Sequence, residues 1–365
     1  MITTTVDALR GAVNDVLPAV PSQPIIKALS AVLIDADAQT ITATNLDLGI
    51  TTTCHMRGNG RMLVPAKLLA QILGTLPGGD VALQELDNGR VKISAGRNVS
   101  HVATMPVEDY PDMPETDVEL GTFDAAQLAT LTRSVAYAAA AEDSRPILKA
   151  INVAAAGGAI NATASDGFRL ARAALGQADG EYSALILGTT LAAVSKLRLT
   201  DDDTARLCTN ELQRHYAFVG RGWRVVGRTV DGRYPDIARI IPRENATTVT
   251  IEDTAALGRA LQLATLFDAN YLVHVVVGPD RVTFRAAGSE TGDGEAVVPA
   301  QVSGPTLTTA ANARLLRDAV SALRGPVTLR LQSAASPICI VSAADAETPL
   351  IDAAQLHIVM PMSVR

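Results

Sequence analysis

Apolar positions along the chain follow two kinds of spacing that alternate. One is the three-to-four spacing of an amphipathic helix, placed after a residue able to cap it. Val6-Asp7-Ala8-Leu9-Arg10 leads into Val13, Val16 and Leu17; Phe123-Asp124 leads into Leu128, Leu131 and Val135. Glu252-Asp253-Thr254 leads into Leu257, Leu261 and Leu263. Asp or Thr near each start offers a side-chain oxygen to the free N–H groups of a first turn. A second helical pattern recurs at a matching offset. It runs from Pro65-Ala66-Lys67-Leu68-Leu69 to Leu76, from Leu191 to Leu199, and from Asn312-Ala313-Arg314-Leu315 to Leu323. Equivalent segments lie on the order of 120 residues apart, a domain-sized period rather than the roughly 20–50 of a solenoid.

The other spacing is the alternation, or the β-branched run, of a strand. It appears at Ala31-Val32-Leu33-Ile34, Thr40-Ile41-Thr42-Ala43, Val81-Ala82-Leu83-Gln84, Val91-Lys92-Ile93-Ser94 and Ile151-Asn152-Val153. It returns at Trp223-Arg224-Val225-Val226, Val273 to Val277 and Val327-Thr328-Leu329-Arg330. Turns at Asp87-Asn88-Gly89, Gly157-Gly158 and Gly278-Pro279-Asp280 punctuate these runs. Two helices and many strands in each of three repeats predict an α+β fold with helices packed on antiparallel sheet. Pro106-Val107-Glu108-Asp109-Tyr110-Pro111-Asp112 parallels Val230-Asp231-Gly232-Arg233-Tyr234-Pro235-Asp236, so the first two repeats close alike. The expected domains are 1–118, 119–243 and 244–365.

Composition refines this picture. A chain of 365 residues exceeds one ordinary core. Hydrophobic residues make up 48% and charged residues 19%, a globular balance, while aromatics at 3% leave the cores to Val, Ile, Leu and Ala. Cys54, Cys208 and Cys339 are distant and odd in number, as reduced, buried thiols would be. No apolar run approaches the roughly 20 residues that span a bilayer, and Met1-Ile2-Thr3-Thr4 does not open a signal peptide. A cytoplasmic protein with no membrane partner is expected.

Candidate chemistry is sparse. His55, His101, His215, His274 and His357 are scattered, without metal-ligand spacing, and most of them read as strand residues. Gly292-Asp293-Gly294 lacks the strand–helix setting of a dinucleotide fingerprint and reads as a loop. Asp201-Asp202-Asp203 reads as a solvated loop, and there is no nucleophile elbow. No catalytic residue, metal or cofactor is expected. The basic residues say more. The second helices carry Lys67, then Lys196 and Arg198, then Arg314, Arg317 and Arg324; the first helices add Arg10, Arg133 and Arg259. A net charge of −7 argues against a protein basic all over, so a positive surface for phosphates would have to be local. The alternative is that these are solvated helix faces.

Ordered motifs along the whole chain resemble the bacterial sliding-clamp family, the β subunit of DNA polymerase III. Val20-Pro21-Ser22-Gln23-Pro24 with Leu29-Ser30-Ala31-Val32-Leu33, Asn45-Leu46-Asp47-Leu48-Gly49-Ile50 and Val64-Pro65-Ala66-Lys67 are similar to its first domain. Arg145-Pro146-Ile147-Leu148, Ser165-Asp166-Gly167-Phe168-Arg169-Leu170 and Asp231-Gly232-Arg233-Tyr234-Pro235-Asp236 are similar to its second, and Val359-Met360-Pro361-Met362 to its end.

The resemblance implies a DNA-clamp fold and a ring-shaped head-to-tail homodimer, joined through strands near residues 96–105 and 295–302. It implies a processivity factor that encircles double-stranded DNA without sequence specificity and works beside a nucleoid. Its partners would be the replicative DNA polymerase, a clamp loader and other proteins bearing a clamp-binding motif. DNA contacts would fall to Arg10, Lys67, Arg133, Lys196, Arg198, Arg259, Arg314 and Arg317. Partner peptides would enter a cleft of Leu148, Ser165, Gly167, Phe168, Arg169, Leu170, Pro235, Arg239 and Ile240. Asn312, Leu315, Ile358, Met360, Pro361 and Met362 would complete that cleft. Read from the residues alone, Leu148, Leu170 and Ile240 could equally be core. A scaffold that binds proteins without enclosing DNA is the alternative function. Departures from the family pattern are Gln23 and Lys27 in the first loop, Gly188-Thr189-Thr190 at a helix start, Phe168, a long connection at 343–356 and the tail Ser363-Val364-Arg365.

Overall fold

A computed structural model describes residues 1–142, 144–178 and 180–362; the tail Ser363-Val364-Arg365 lies outside the described residues. Among the described residues six α-helices are formed: α1 (Val6–Val16), α2 (Ala66–Thr75), α3 (Ala125–Thr130), α4 (Gly188–Val194), α5 (Thr254–Ala264) and α6 (Ala313–Ala322). Two of the caps anticipated from sequence are made: Asp124 accepts from the Gln127 amide at 2.7 Å and Asp253 from that of Ala256 at 2.8 Å. Helix α1 is instead capped by Thr5, which accepts from the Ala8 amide at 3.2 Å, with Asp7 inside the first turn. The inward residues at helical spacing, Leu9, Val13 and Val16 in α1 and Leu257 and Leu261 in α5, are buried. Each such side chain contributes roughly 1.5–3 kcal/mol.

The chain divides into two compact units, 1–128 with 189–229 and 129–188 with 230–365. In the first unit an eight-stranded antiparallel sheet runs in the order Arg61–Pro65, Ala31–Asp35, Thr40–Thr44, Leu48–Thr53, Trp223–Arg228, His215–Gly220, Thr204–Thr209, Val118–Asp124. A four-stranded sheet runs Ile2–Thr5, Asp80–Leu86, Arg90–Ala95, Asn98–Ala103. In the second unit a nine-stranded sheet runs Tyr182–Leu187, Ala150–Ala156, Ala159–Ser165, Arg169–Gln177, Gln355–Val359, Ile338–Ser342, Val327–Leu331, Thr247–Ile251, Gln301–Ser303. Its four-stranded sheet runs Gly292–Pro299, Arg281–Gly288, Leu272–Val277, Leu307–Asn312.

These orders resolve into two motifs, each used three times. In one, three meandering strands are preceded in space by the strand that leads into α2, α4 or α6. In the other, three meandering strands follow the strand that leads into α1, α3 or α5. The large sheets arise where the last strand of the first motif pairs with the last strand of the second motif from the next repeat. Ile50 lies opposite Val225 at one such seam, and Leu170 opposite Ile358 at the other. The matching strands at the remaining two ends, Asn98–Ala103 and Gly292–Pro299, each have one edge without a strand partner among the described residues. On these edges Val99 and Val297 are each 51% exposed.

Three expectations are corrected. Helix α4 starts directly after strand Tyr182–Leu187 and ends at Val194, so Lys196 and Arg198 follow it in a turn closed by Lys196 N–H to Ala193 O and Leu197 N–H to Val194 O. Arg324 similarly lies past the end of α6, and Arg133 sits on a single π-helical turn, Leu131–Val135, that continues α3. Gly292-Asp293-Gly294 is not a loop; it opens an edge strand, with Asp293 opposite Ala287 and Gly294 opposite Ala286. Glycine is required there because a Cβ on Gly294 would lie 2.3 Å from the Phe267 ring. His101, His215, His274 and His357 are in strands, but His55 is in a loop.

Candidate functional site

The centre of the candidate cleft is the turn from Ser165 to Arg169, where Ala159–Ser165 ends and Arg169–Gln177 begins. Asp-Gly is turn chemistry: the Asp carboxylate bonds to nearby amides and Gly takes positive φ. Asp166 Oδ1 accepts from the amides of Phe168 and Arg169, both at 2.9 Å, and Gly167 sits at φ +92°. Ser165 Oγ accepts from the Gly167 amide at 3.2 Å and donates to the Arg169 carbonyl at 2.7 Å. The turn therefore has few free backbone groups and pushes Phe168 outward, leaving it 71% exposed.

Arg169 points the other way. Its Nε donates to Asp166 Oδ2 at 2.9 Å and its Nη1 to Asp318 Oδ2, on α6, at 2.7 Å. Its guanidinium carbon lies 5.1 Å from the centre of the Tyr137 ring. The Tyr137 hydroxyl bonds Nδ1 of His357 at 2.8 Å. His357 is wholly buried, and that burial pushes its imidazole down to about 3, so it is neutral. Burial likewise pushes the Tyr137 phenol up, before the smaller opposing effect of Arg169.

The chain end docks beside this turn. Met360 N–H donates to the Phe168 carbonyl at 2.9 Å, Pro361 bridges to Ala311, and Met362 N–H donates to Ala310 O at 2.8 Å. These bonds bring Phe168, Met360, Pro361, Met362 and the start of α6 together. Leu170 and Ile358 are both buried, in one cluster with Ile241, Leu350 and Leu356. Leu148 is also buried, and its carbonyl accepts from Ala140 N–H at 2.9 Å. Of the three residues that sequence left open, Leu148 and Leu170 are core, whereas Ile240 is 44% exposed. Pro235 and Arg239 are exposed on the same segment as Ile240, with Arg239 Nε 3.3 Å from Asp236. Asn312 is the cap of α6, accepting from the amides of Arg314 and Leu315 at 3.0 and 3.1 Å. Leu315 is half-buried against the surrounding core.

Sequence reasoning missed Asp166, Tyr137, Asp318 and His357. The Asp-Gly turn signal was present for the first. No local signal links the others, because Tyr137 and His357 are 220 residues apart.

The basic residues divide by what they touch. In the first unit Arg10 is engaged. Its Nε donates to Leu73 O at 3.0 Å, and its Nη2 to Leu73 O at 2.7 Å and Leu76 O at 3.0 Å, satisfying carbonyls at the end of α2. Lys67, Lys196 and Arg198 are exposed, and Arg198 faces α1, where it partly offsets the burial that raises Asp15. In the second unit burial and the neighbouring Arg324 lower Arg133, whose Nε is buried without a hydrogen-bond partner among the described residues. Arg314 stacks over Tyr271 at 5.9 Å, Arg317 bonds Gln262, and Arg259 is 4.0 Å from Asp253.

Two sheet motifs, each used three times, define a repeat-built protein of the α+β class. Family models of the DNA polymerase III beta subunit match almost the whole chain: its N-terminal domain at residues 1–114, its central domain at 122–236 and its C-terminal domain at 238–362. The beta sliding clamp of Micrococcus luteus is 30% identical over 302 residues, covering 80% of this chain and 96% of that protein. The beta sliding clamp of Synechococcus elongatus is 26% identical over 373 residues, covering 98% and 97%. In fold, the beta subunit of DNA polymerase from Streptococcus pyogenes superimposes with a TM-score of 0.91 at 20% identity, each chain covered completely. The DNA polymerase sliding clamp of Bacillus subtilis gives 0.90 at 22%, covering 100% of this chain and 99% of the other. The chain belongs to the DNA polymerase III beta subunit family, the bacterial sliding clamps. It is accordingly a DNA sliding clamp, a non-catalytic processivity factor of replication.

Proposed function

We propose that two copies, each of three domains (1–118, 119–243 and 244–365), join head to tail into a closed ring around duplex DNA. The seam rule carries this reading. Within one chain, two of the three possible seams between successive repeats are made, and each consumes the last strand of both motifs. The strands left over, Asn98–Ala103 and Gly292–Pro299, are those a third seam would use, and each exposes a valine. Pairing them with a second copy removes both open edges.

DNA is held through phosphates, without reading bases, by the exposed Lys67, Lys196 and Arg198 and by Arg133, Arg259, Arg314 and Arg317. Arg10 supports α2 rather than DNA. Partner peptides, from the replicative polymerase, the clamp loader and other proteins with a clamp-binding motif, enter between Phe168, Ile240, Met360 and Met362. Flexible Met side chains suit a pocket that accepts several sequences. The protein works in the cytoplasm, at the nucleoid.

Two measurements test this. The protein should stay on closed circular DNA and leave when the circle is cut, with Val297→Asp abolishing retention and halving the mass in solution. Equal retention on circular and linear DNA rejects a ring. Met360→Ala with Met362→Ala should weaken a polymerase-derived peptide by roughly 1–2 kcal/mol in calorimetry while leaving the mass unchanged. An unaltered peptide affinity rejects the cleft.

A further inference from the structure

We propose that Asp318 and Tyr137, which do not line the cleft, are positioning residues that hold it in its peptide-binding shape through Arg169. The inference rests on the cleft reading above. Arg169 belongs to the matched cleft residues, yet its chemistry is spent inside the protein. Nε is held by Asp166 at 2.9 Å, Nη1 by Asp318 at 2.7 Å, and the face of the guanidinium by the Tyr137 ring. Its side chain is largely buried, with the two carboxylates only partly exposed.

Each link restrains a different element. Asp166 shapes the backbone that presents Phe168, and the Phe168 carbonyl accepts the Met360 amide. Asp318 belongs to α6, whose first residue follows the Asn312 cap, beside the strand that holds Pro361 and Met362. Tyr137 rests on His357, in the strand that ends at Val359, immediately before Met360. One guanidinium thus ties the Phe168 turn to α6 and, through Tyr137, to the strand leading into Met360. A planar, always-charged fork with several donors can do this, and a lysine cannot.

Removing the α6 anchor lets the turn sample other arrangements, and peptide affinity falls by the fraction of molecules still competent. If that fraction drops to roughly a tenth, Kd rises about tenfold.

The test uses the full-length protein, a fluorescein-labelled polymerase-derived peptide, and methyl NMR of the protein labelled at Met. Asp318→Ala should raise the peptide Kd about tenfold, Asp318→Asn less, and Asp318→Glu should restore most of the affinity. Without peptide, Asp318→Ala and Tyr137→Phe should shift or broaden the Met360 and Met362 methyl signals and leave those of Met1 and Met62 in place. If Asp318→Ala binds peptide like the parent, or lowers the thermal midpoint with Met360 and Met362 signals unmoved, the positioning role is wrong. If the parent protein itself fails to bind the peptide, the cleft reading fails instead.

Discussion

His357 gives a prediction whose size can be worked from its surroundings. The ring is wholly buried between the strands holding Ala171 and Ile340, with Tyr137 on Nδ1 and, among the described residues, no hydrogen-bond partner on Nε2. Protonation would place a bare imidazolium N–H in apolar surroundings, and so burial lowers the group from 6.5 to about 3. The folded form therefore excludes a proton that the unfolded chain accepts below its ordinary value of 6.5. Stability from this group is fully present above 6.5 and is lost as pH falls from 6.5 toward 3. The loss is about 1.4 kcal/mol per pH unit, or about 2 kcal/mol by about pH 5. His357→Asn keeps an acceptor near the Nδ1 position for the Tyr137 hydroxyl but cannot titrate. Urea unfolding of both proteins at about pH 7.5 and about pH 5 should show the parent losing about 2 kcal/mol more than the variant, since all other groups cancel in the comparison. Equal losses in the two proteins would mean that His357 is solvated or paired, and the account of its burial would fall.

Arg10→Ala should destabilise the protein by roughly 1.5–3 kcal/mol, because the Leu73 and Leu76 carbonyls lose a charged donor, and should leave the salt dependence of DNA retention alone. Lys67→Ala should do the reverse, lowering the slope of retention against log salt by about one with the thermal midpoint unchanged; matching effects from the two variants would refute the division made here. Burial pushes the Cys339 thiol up to about 12 and raises Cys54 and Cys208 as well. All three should resist a thiol reagent in the native protein and react only after denaturation, a fast-reacting thiol in the folded state being the contrary result.

Local order was readable from the chain. Helices, strands and the caps Asp124 and Asp253 depend on neighbours within about four residues, and that spacing is written in the sequence. The threefold repeat and the family motifs were legible for the same reason. What a side chain meets after the chain closes was not. Leu170 and Ile240 have equal hydropathic claims on the core, and only the packing of Ile358 and Leu356 around the first separates them. Nothing in the sequence around Arg10 shows that its guanidinium reaches the end of α2. Lys196 and Arg198 left their helix because α4 ends at Val194 and the chain turns there, with Lys196 N–H on Ala193 O and Leu197 N–H on Val194 O. Tyr137, Asp318 and His357 carry no short-range pattern at all, since each meets its partner across sheets and helices far apart in sequence. The repetition and most of the elements follow from short-range spacing; closure of the chain set which polar groups are consumed inside the fold and which sheet edges stay open.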